Sequence, residues 1–225
     1  MTKAFVSWSG GKDCCLAAYK AIQQGIELNC LLNMTTNDSG RSCSHGMAAK
    51  WIRLQSEALE IPVLQYPTTH DNYAEVFTSA LLELVKQGVT TGVFGDIDFN
   101  PHREWIEKIC APAGINPLLP LWLGDHNKIV NEFIGLGFEA KVVATRADLM
   151  GEEWLGKTID SEFIKDVAQF NKDITPCGEA GEFHTLVVDG PFFKKRLEIL
   201  EAGTARRGEH WFWDIKRLEL VKKDR

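Results

Sequence analysis

The sequence predicts a parallel-sheet α/β domain followed by a smaller α+β domain, and three observations carry that expectation. Strand-like and helix-like segments alternate up to about Asp125. The early strands are apolar rather than alternating, as strands covered on both faces are. Beyond Asp125 the pattern changes, and the last strand alternates apolar and polar residues like a half-exposed one. Residues 1–127 are therefore assigned to the first domain and 128–225 to the second.

In chain order, Ala4 to Trp8 is a short strand that ends at a pair of glycines. Cys15, Tyr19 and Ile22 then fall on one face of a helix from Lys12 to Gln24, with Gly25 as its stop. A second strand covers Leu28 to Met34, and a polar loop runs from Thr35 to Gly46. Ala48 to Leu59 is a helix ended by Ile61-Pro62, and Val63 to Tyr66 is a third strand. A helix over Tyr73 to Gln87 leads to the apolar strand Gly92 to Gly95. Arg103 to Ala111 reads as a helix, and Pro117 to Trp122 as a last extended piece. The second domain holds a helix at Lys128 to Leu136, a strand at Phe138 to Thr145 and a helix at Ser161 to Asn171. Strands at Thr185 to Val188 and His210 to Ile215 complete it. With no repeat, low-complexity tract or linker between them, the two parts are expected to pack closely.

The chain has 225 residues, 44% of them apolar, which suffices for a proper core and excludes disorder as the default. A net charge of -6 without a basic patch gives no reason to expect direct nucleic-acid binding. No apolar stretch reaches the ~20 residues of a membrane span, and no signal-peptide pattern opens the chain. A cytoplasmic protein without membrane attachment is expected. The short basic end Lys222-Lys223-Asp224-Arg225 reads as solvated. None of the six cysteines makes a Cys-x-x-Cys, so a disulfide framework is not expected. Cys43-Ser44-His45 alone offers too few ligands for zinc.

The chemistry concentrates first at Ser9-Gly10-Gly11-Lys12-Asp13-Cys14, between the first strand and the first helix. It is not a Walker A loop, whose spacing is Gly-x-x-x-x-Gly-Lys. The physics is similar: adjacent glycines let backbone N–H groups approach phosphate, and the helix N-terminus adds positive potential. Lys12 adds a full charge, and Asp13 can hold Mg²⁺ or cap the helix. A plain turn with Lys12 in solvent is the competing structural reading. The loop's position favours function, because ligands of parallel sheets sit at the carboxyl ends of strands.

Further candidates lie downstream. Gly95 and Asp96 follow a strand end, where Asp96 and Asp98 suit either a ligand or a helix cap. Arg103 suits phosphate or a surface pair with Glu104 or Glu107. In Cys177-Gly178-Glu179-Ala180-Gly181-Glu182-Phe183-His184, paired carboxylates can hold Mg²⁺ or accept a proton. His184 suits proton transfer because an unperturbed imidazole titrates near neutrality. His45 reads first as a turn residue, and Trp211-Phe212-Trp213 as packing.

Strand-Ser-Gly-Gly-Lys-Asp-x-helix resembles the pyrophosphate loop of the N-type ATP pyrophosphatases. More specifically, the chain resembles the diphthine–ammonia ligase family through about Leu197. The matching pieces are Ser9 to Cys14, Gln55 to Pro62, Gly95 to Ile97, Arg103 to Cys110, Pro117 to Trp122 and Cys177 to Phe192. Cys14 stands where the family has serine, and Ala180 where it has glycine. The resemblance implies a Rossmann-like domain of the adenine nucleotide alpha hydrolase (HUP) kind. It also implies an ATP-dependent, AMP-forming carbon–nitrogen ligase of diphthamide biosynthesis. Such an enzyme adenylates a carboxylate, releases pyrophosphate and transfers ammonia.

The implied nucleotide-binding set is Ser9, Gly10, Gly11, Lys12, Asp13, Cys14, Gly95 and Asp96. The implied catalytic set is Lys12, Asp13, Glu179, Glu182 and His184, with Asp13 on Mg²⁺. The implied partners are ATP, ammonium and a diphthine-bearing translation elongation factor, with a homodimer left open. Two alternatives stay open beside it: a related adenylating enzyme on another carboxylate, and a sensor that binds ATP or AMP without turnover.

Overall fold

The structure, a computed structural model, describes residues 2–43 and 45–223. Ser44 of the Cys43-Ser44-His45 group, and Asp224 and Arg225 of the basic end, lie outside the described residues.

Five strands form a wholly parallel sheet in the order β3-β2-β1-β4-β5. They are β1 (Lys3–Ser7), β2 (Glu27–Thr36), β3 (Val63–Thr68), β4 (Thr91–Val93) and β5 (Asn116–Leu118). The crossover helices are α1 (Lys12–Gln23), α2 (Ala49–Leu59), α3 (Tyr73–Lys86) and α4 (Asn100–Cys110). Strand order reverses at β1, so the loop after β1 opens onto the switch point, where such sheets bind ligands.

Period-two alternation within the apolar strands divides the core. Ala4, Val6 and Leu31 belong to one buried cluster with α1 and α2. Phe5, Cys30, Leu32 and Met34 belong to the other, with α3 and α4. Phe5, Phe77, Leu81 and Leu84 are fully buried, and each contributes about 1.5–3 kcal/mol by leaving water.

The second sheet is antiparallel, in the order β7-β6-β9-β8. Its strands are β6 (Glu139–Arg146), β7 (Phe183–Asp189), β8 (Lys195–Arg207) and β9 (His210–Lys222). Helices α5 (His126–Gly135) and α6 (Ser161–Phe170) accompany it. The core cluster on the α1 and α2 side of the first sheet continues without a break into Val142, Phe183, Leu186 and Leu197. No described helix is long and apolar enough to cross a membrane.

Several element boundaries differ from the sequence expectation; the extended piece expected to reach Trp122 ends at Leu118, where the chain turns. β8 was not anticipated: its residues are mostly exposed and its pairing with β9 is bulged near Glu201, so no clean period marks it. β9 runs seven residues past Ile215, because β8 supplies a partner for its full length. Helix α4 begins at Asn100, with Pro101 in its first turn, where a missing N–H loses nothing.

Candidate active site

Gly10 turns the chain out of β1 with φ of +84°, a conformation that disfavours any side chain. A Cβ there would also lie 2.5 Å from Gln55 Oε1. The turn delivers Gly11 as the N-cap of α1 without a side-chain cap. Among the described residues, the first-turn N–H groups of Asp13 and Cys14 have no partner. Unpaired amides at a helix N-terminus are the donors a phosphate oxygen requires. Gly95, just past β4, lies directly on this turn: a Cβ would come within 2.7 Å of Asp13 C and Cys14 N.

Strand β7 is packed onto the loop. Its Val187 N–H donates to Gly10 O at 2.9 Å, and the Lys12 N–H donates to Thr185 Oγ1 at 3.0 Å. Gln55, fully buried on α2, donates to both Gly10 O (2.9 Å) and Val187 O (2.8 Å) and accepts from Trp8 Nε1 (3.0 Å). The loop thus completes the open edge of the second sheet.

Lys12 is 4% exposed, which excludes the solvated-lysine reading. Its Nζ donates to Asp13 Oδ2 at 2.8 Å and to the carbonyl of Cys177, and sits 5.4 Å from the Phe183 ring centre. Burial alone would lower its pKa; Asp13, Cys177 and Glu179 outweigh that and hold the ammonium above its ordinary value. Asp13 Oδ1 is buried without a partner among the described residues, an oxygen placed to accept a cation.

Cys14 takes the place of a hydroxyl with a thiol that both accepts and donates. It accepts from Ser9 Oγ at 3.3 Å and donates to Gly11 O at 3.2 Å. Burial works to raise its pKa, but hydrogen bonds from Cys15, Ser9 and the loop amides leave it lowered overall. Ser9 Oγ also accepts from the Gly11 N–H at 3.3 Å.

The Cys177–Glu182 segment reaches the loop by way of Lys12. Glu179 Oε1 accepts from the Ile97 N–H at 3.1 Å, which ties this segment to Gly95-Asp96-Ile97. Burial raises the Glu179 pKa, with Asp13 and Asp96 adding to it against the Ile97 bond. Glu182 is 1% exposed; its Oε1 accepts from the Thr175 N–H at 2.8 Å and its Oε2 has no partner. The two glutamates are therefore anchored separately, and no group of three or more metal-ligating side chains occurs among the described residues.

His184 departs from the near-neutral titration expected of it. Burial, with His210 and Lys12, lowers its pKa to about 4, so at neutral pH it can only accept a proton. Its ring stacks on His45 at 4.6 Å. His45 is more than the turn residue expected. Its Nδ1 donates to Thr185 O at 3.0 Å, and its ring covers Gly11 so closely that a Cβ there would strike it. Burial and His184 push it well below its ordinary pKa. The sequence signal was available in its place after the second strand.

The remaining candidates stand at the rim. Asp96 accepts from His102 at 3.1 Å, and that contact chiefly raises the His102 pKa. Asp98 pairs with His126 at 2.9 Å, so neither aspartate caps α4, whose N-cap is Phe99. Arg103 pairs with Glu107 at 2.8 Å and lies over Trp122, as the surface-pair reading has it.

Two family models match the chain. The diphthamide synthase N-terminal domain matches residues 2–117, and the diphthamide synthase C-terminal domain residues 125–221. Curated relatives named diphthine–ammonia ligase include one from Schizosaccharomyces pombe, 28% identical over 86% of this chain and 35% of that protein. One from Danio rerio is 25% identical over 95% of this chain and 92% of its own length. One from Homo sapiens is 26% identical, covering 85% and 80% respectively. The chain thus spans about a third of the S. pombe relative and most of the two vertebrate ones.

Proposed function

The chain belongs to the diphthamide synthase family, and from that premise we propose that it is an ATP-dependent, AMP-forming ligase that converts a carboxylate to an amide with ammonia. The acceptor in this reading is diphthine, which the relatives' name prints, carried by a translation elongation factor as the sequence resemblance implies. One observation carries the ATP part of the reading. At the switch point of a parallel sheet, a helix N-terminus presents unpaired amides beside a buried lysine and an unpaired carboxylate oxygen.

In this reading Ser9 to Cys14 hold the pyrophosphate portion, and Gly95 keeps the Asp13–Cys14 turn open to it. Asp13 Oδ1, buried without a partner, fits Mg²⁺, which would offset phosphate charge. The acceptor carboxylate attacks the α-phosphorus, the α–β bond breaks, and pyrophosphate leaves with its charge balanced by Lys12 and the loop amides. Ammonia then attacks the activated carbonyl, AMP leaves, and one proton is released. Glu179, whose pKa burial raises, can take that proton; His184, lowered to about 4, is neutral beside it and is the weaker base. Because Lys12 binds both Asp13 and the Cys177 carbonyl, the nucleotide loop and the proton-accepting segment are one connected unit.

The test is release of pyrophosphate and AMP from ATP, given ammonium and a diphthine-bearing elongation factor. The expected result is equimolar AMP and amide. ATP binding without pyrophosphate release, under conditions in which a human or yeast ligase turns over, would overturn the ligase reading in favour of a sensor. AMP formed only with another carboxylate would keep the chemistry and replace the acceptor.

A further inference from the structure

Two loop residues at the mouth of the site break the local rules of their own positions. Leu123 lies in the turn after β5 with φ of +57°, a backbone state that suits glycine and not a bulky apolar side chain. The other non-glycine residue of positive φ among the described residues, Glu60, ends α2, where left-handed backbone is a usual stop. Phe99 is the N-cap of α4, a position that favours serine, threonine, asparagine or aspartate, and it makes no capping hydrogen bond. Burial offsets neither exception: Leu123 is 72% exposed and Phe99 49%. Among the described residues, no other large exposed apolar side chain lies outside a helix or strand.

Both stand against the proton-accepting segment. Ile97 donates its N–H to Glu179 Oε1 at 3.1 Å and accepts the Leu123 N–H on its carbonyl at 2.6 Å. One buried residue thus joins the carboxylate to the exposed leucine. Phe99 follows two residues later and packs edge-on against His102, with ring centres 4.8 Å apart. The charges around them are matched within the chain: Asp96 to His102, Asp98 to His126 and Arg103 to Glu107. What this rim offers a partner is apolar contact. Exposed apolar groups kept where glycine and a small polar cap fit better are the mark of a surface that another molecule covers. In the ligase reading the acceptor is one residue of a protein, and it reaches Glu179 only if the rest of that protein meets the rim. We propose that Leu123 and Phe99 form the docking surface for the acceptor-bearing protein, and that they receive apolar side chains flanking its modified residue. The choice of a protein partner rests on the ligase reading.

Leu123→Gly and Phe99→Ser each restore the residue type that the position favours while deleting the apolar group, so docking can be lost without loss of the fold. The double variant should keep the wild-type urea midpoint. Its binding to a purified, diphthine-bearing elongation factor, measured by biolayer interferometry, should weaken at least tenfold, as loss of apolar anchors does. Its affinity for ATP should stay within twofold of wild type. In turnover the KM for the factor should rise at least fivefold, with kcat at saturation unchanged. Leu123→Asn, whose side chain tolerates the same φ, decides if the glycine variant unfolds. Unchanged factor binding in the folded double variant would overturn the proposal, as would the absence of any wild-type binding. A wild-type dimer that the double variant dissociates would also overturn it, since the patch would then belong to a second copy. A factor that docks through this patch but is never turned over would refute the ligase reading and leave the docking surface standing. Turnover untouched by the double variant would do the reverse.

Discussion

Lys12 serves the loop and the fold at once, and its removal separates the two. In Lys12→Ala the partly exposed Asp13 carboxylate and the Cys177 carbonyl lose their shared partner. Leaving such a polar group without its partner costs about 1–3 kcal/mol. The expected outcome is at least a tenfold loss in kcat/KM for pyrophosphate release, together with a lower urea midpoint. Unchanged kinetics in a destabilised variant would make Lys12 structural only. Glu182→Gln tests a different link, since the amide oxygen can still accept from the Thr175 N–H. Amide formation should fall more than ATP binding, as measured by single-turnover product against equilibrium titration. His184 sets an acid limit. The unfolded imidazole takes up a proton below about 6.5, whereas the folded one, lowered by burial and by His210 and Lys12, waits until about 4. Stability is therefore full above 6.5 and drains as pH falls through that window, by up to about 3 kcal/mol. Urea midpoints at pH 7, 5.5 and 4.5 measure the decline, and His184→Gln should make it shallower, the remainder belonging to His45.

At the scale of elements, the join between β7 and the phosphate loop matters most. Gln55 on α2 is its buried connector, facing Trp8, Gly10 and Val187 at once. In Gln55→Leu the Trp8 indole loses its acceptor and two buried carbonyls lose a donor; each unsatisfied group costs about 1–3 kcal/mol. The urea midpoint should drop sharply, and the loop amides should exchange hydrogen faster than those of β4. Sequence reading found the ingredients here, because the glycines, the lysine and the apolar strands are local signals. It missed the connector's role: Gln55 sits in a helical stretch that matched the family, and no periodicity says that its amide spans three elements. It likewise could not show that Lys12 bonds to the Cys177 carbonyl, since such pairing depends on tertiary placement.

At the scale of the molecule, the two sheets share one core cluster through α1 and α2. Thermal unfolding is therefore expected to be a single transition, coincident by tryptophan fluorescence and far-UV circular dichroism. Two separated transitions would show that the sheets unfold independently. The parallel half was largely legible, because strands buried on both faces leave apolar runs such as Ala4 to Val6 and Cys30 to Leu32. The antiparallel half was read less well. β8 exposes most of its length, and what holds it is a long-range ladder to β9 that leaves little local trace.

The hydrogen bond from the Lys12 N–H to Thr185 joins positions 173 residues apart. A growing chain emerges from the ribosome N-terminus first, at about 5–20 residues per second. After the loop is translated, β7 follows on the order of 10–30 s later at that rate. Until then Gly10, Lys12 and Gln55 have no strand to close against, and a truncated nascent chain carries the nucleotide motif without its completed site. Synthesis itself thus postpones assembly of the site until β7 has emerged.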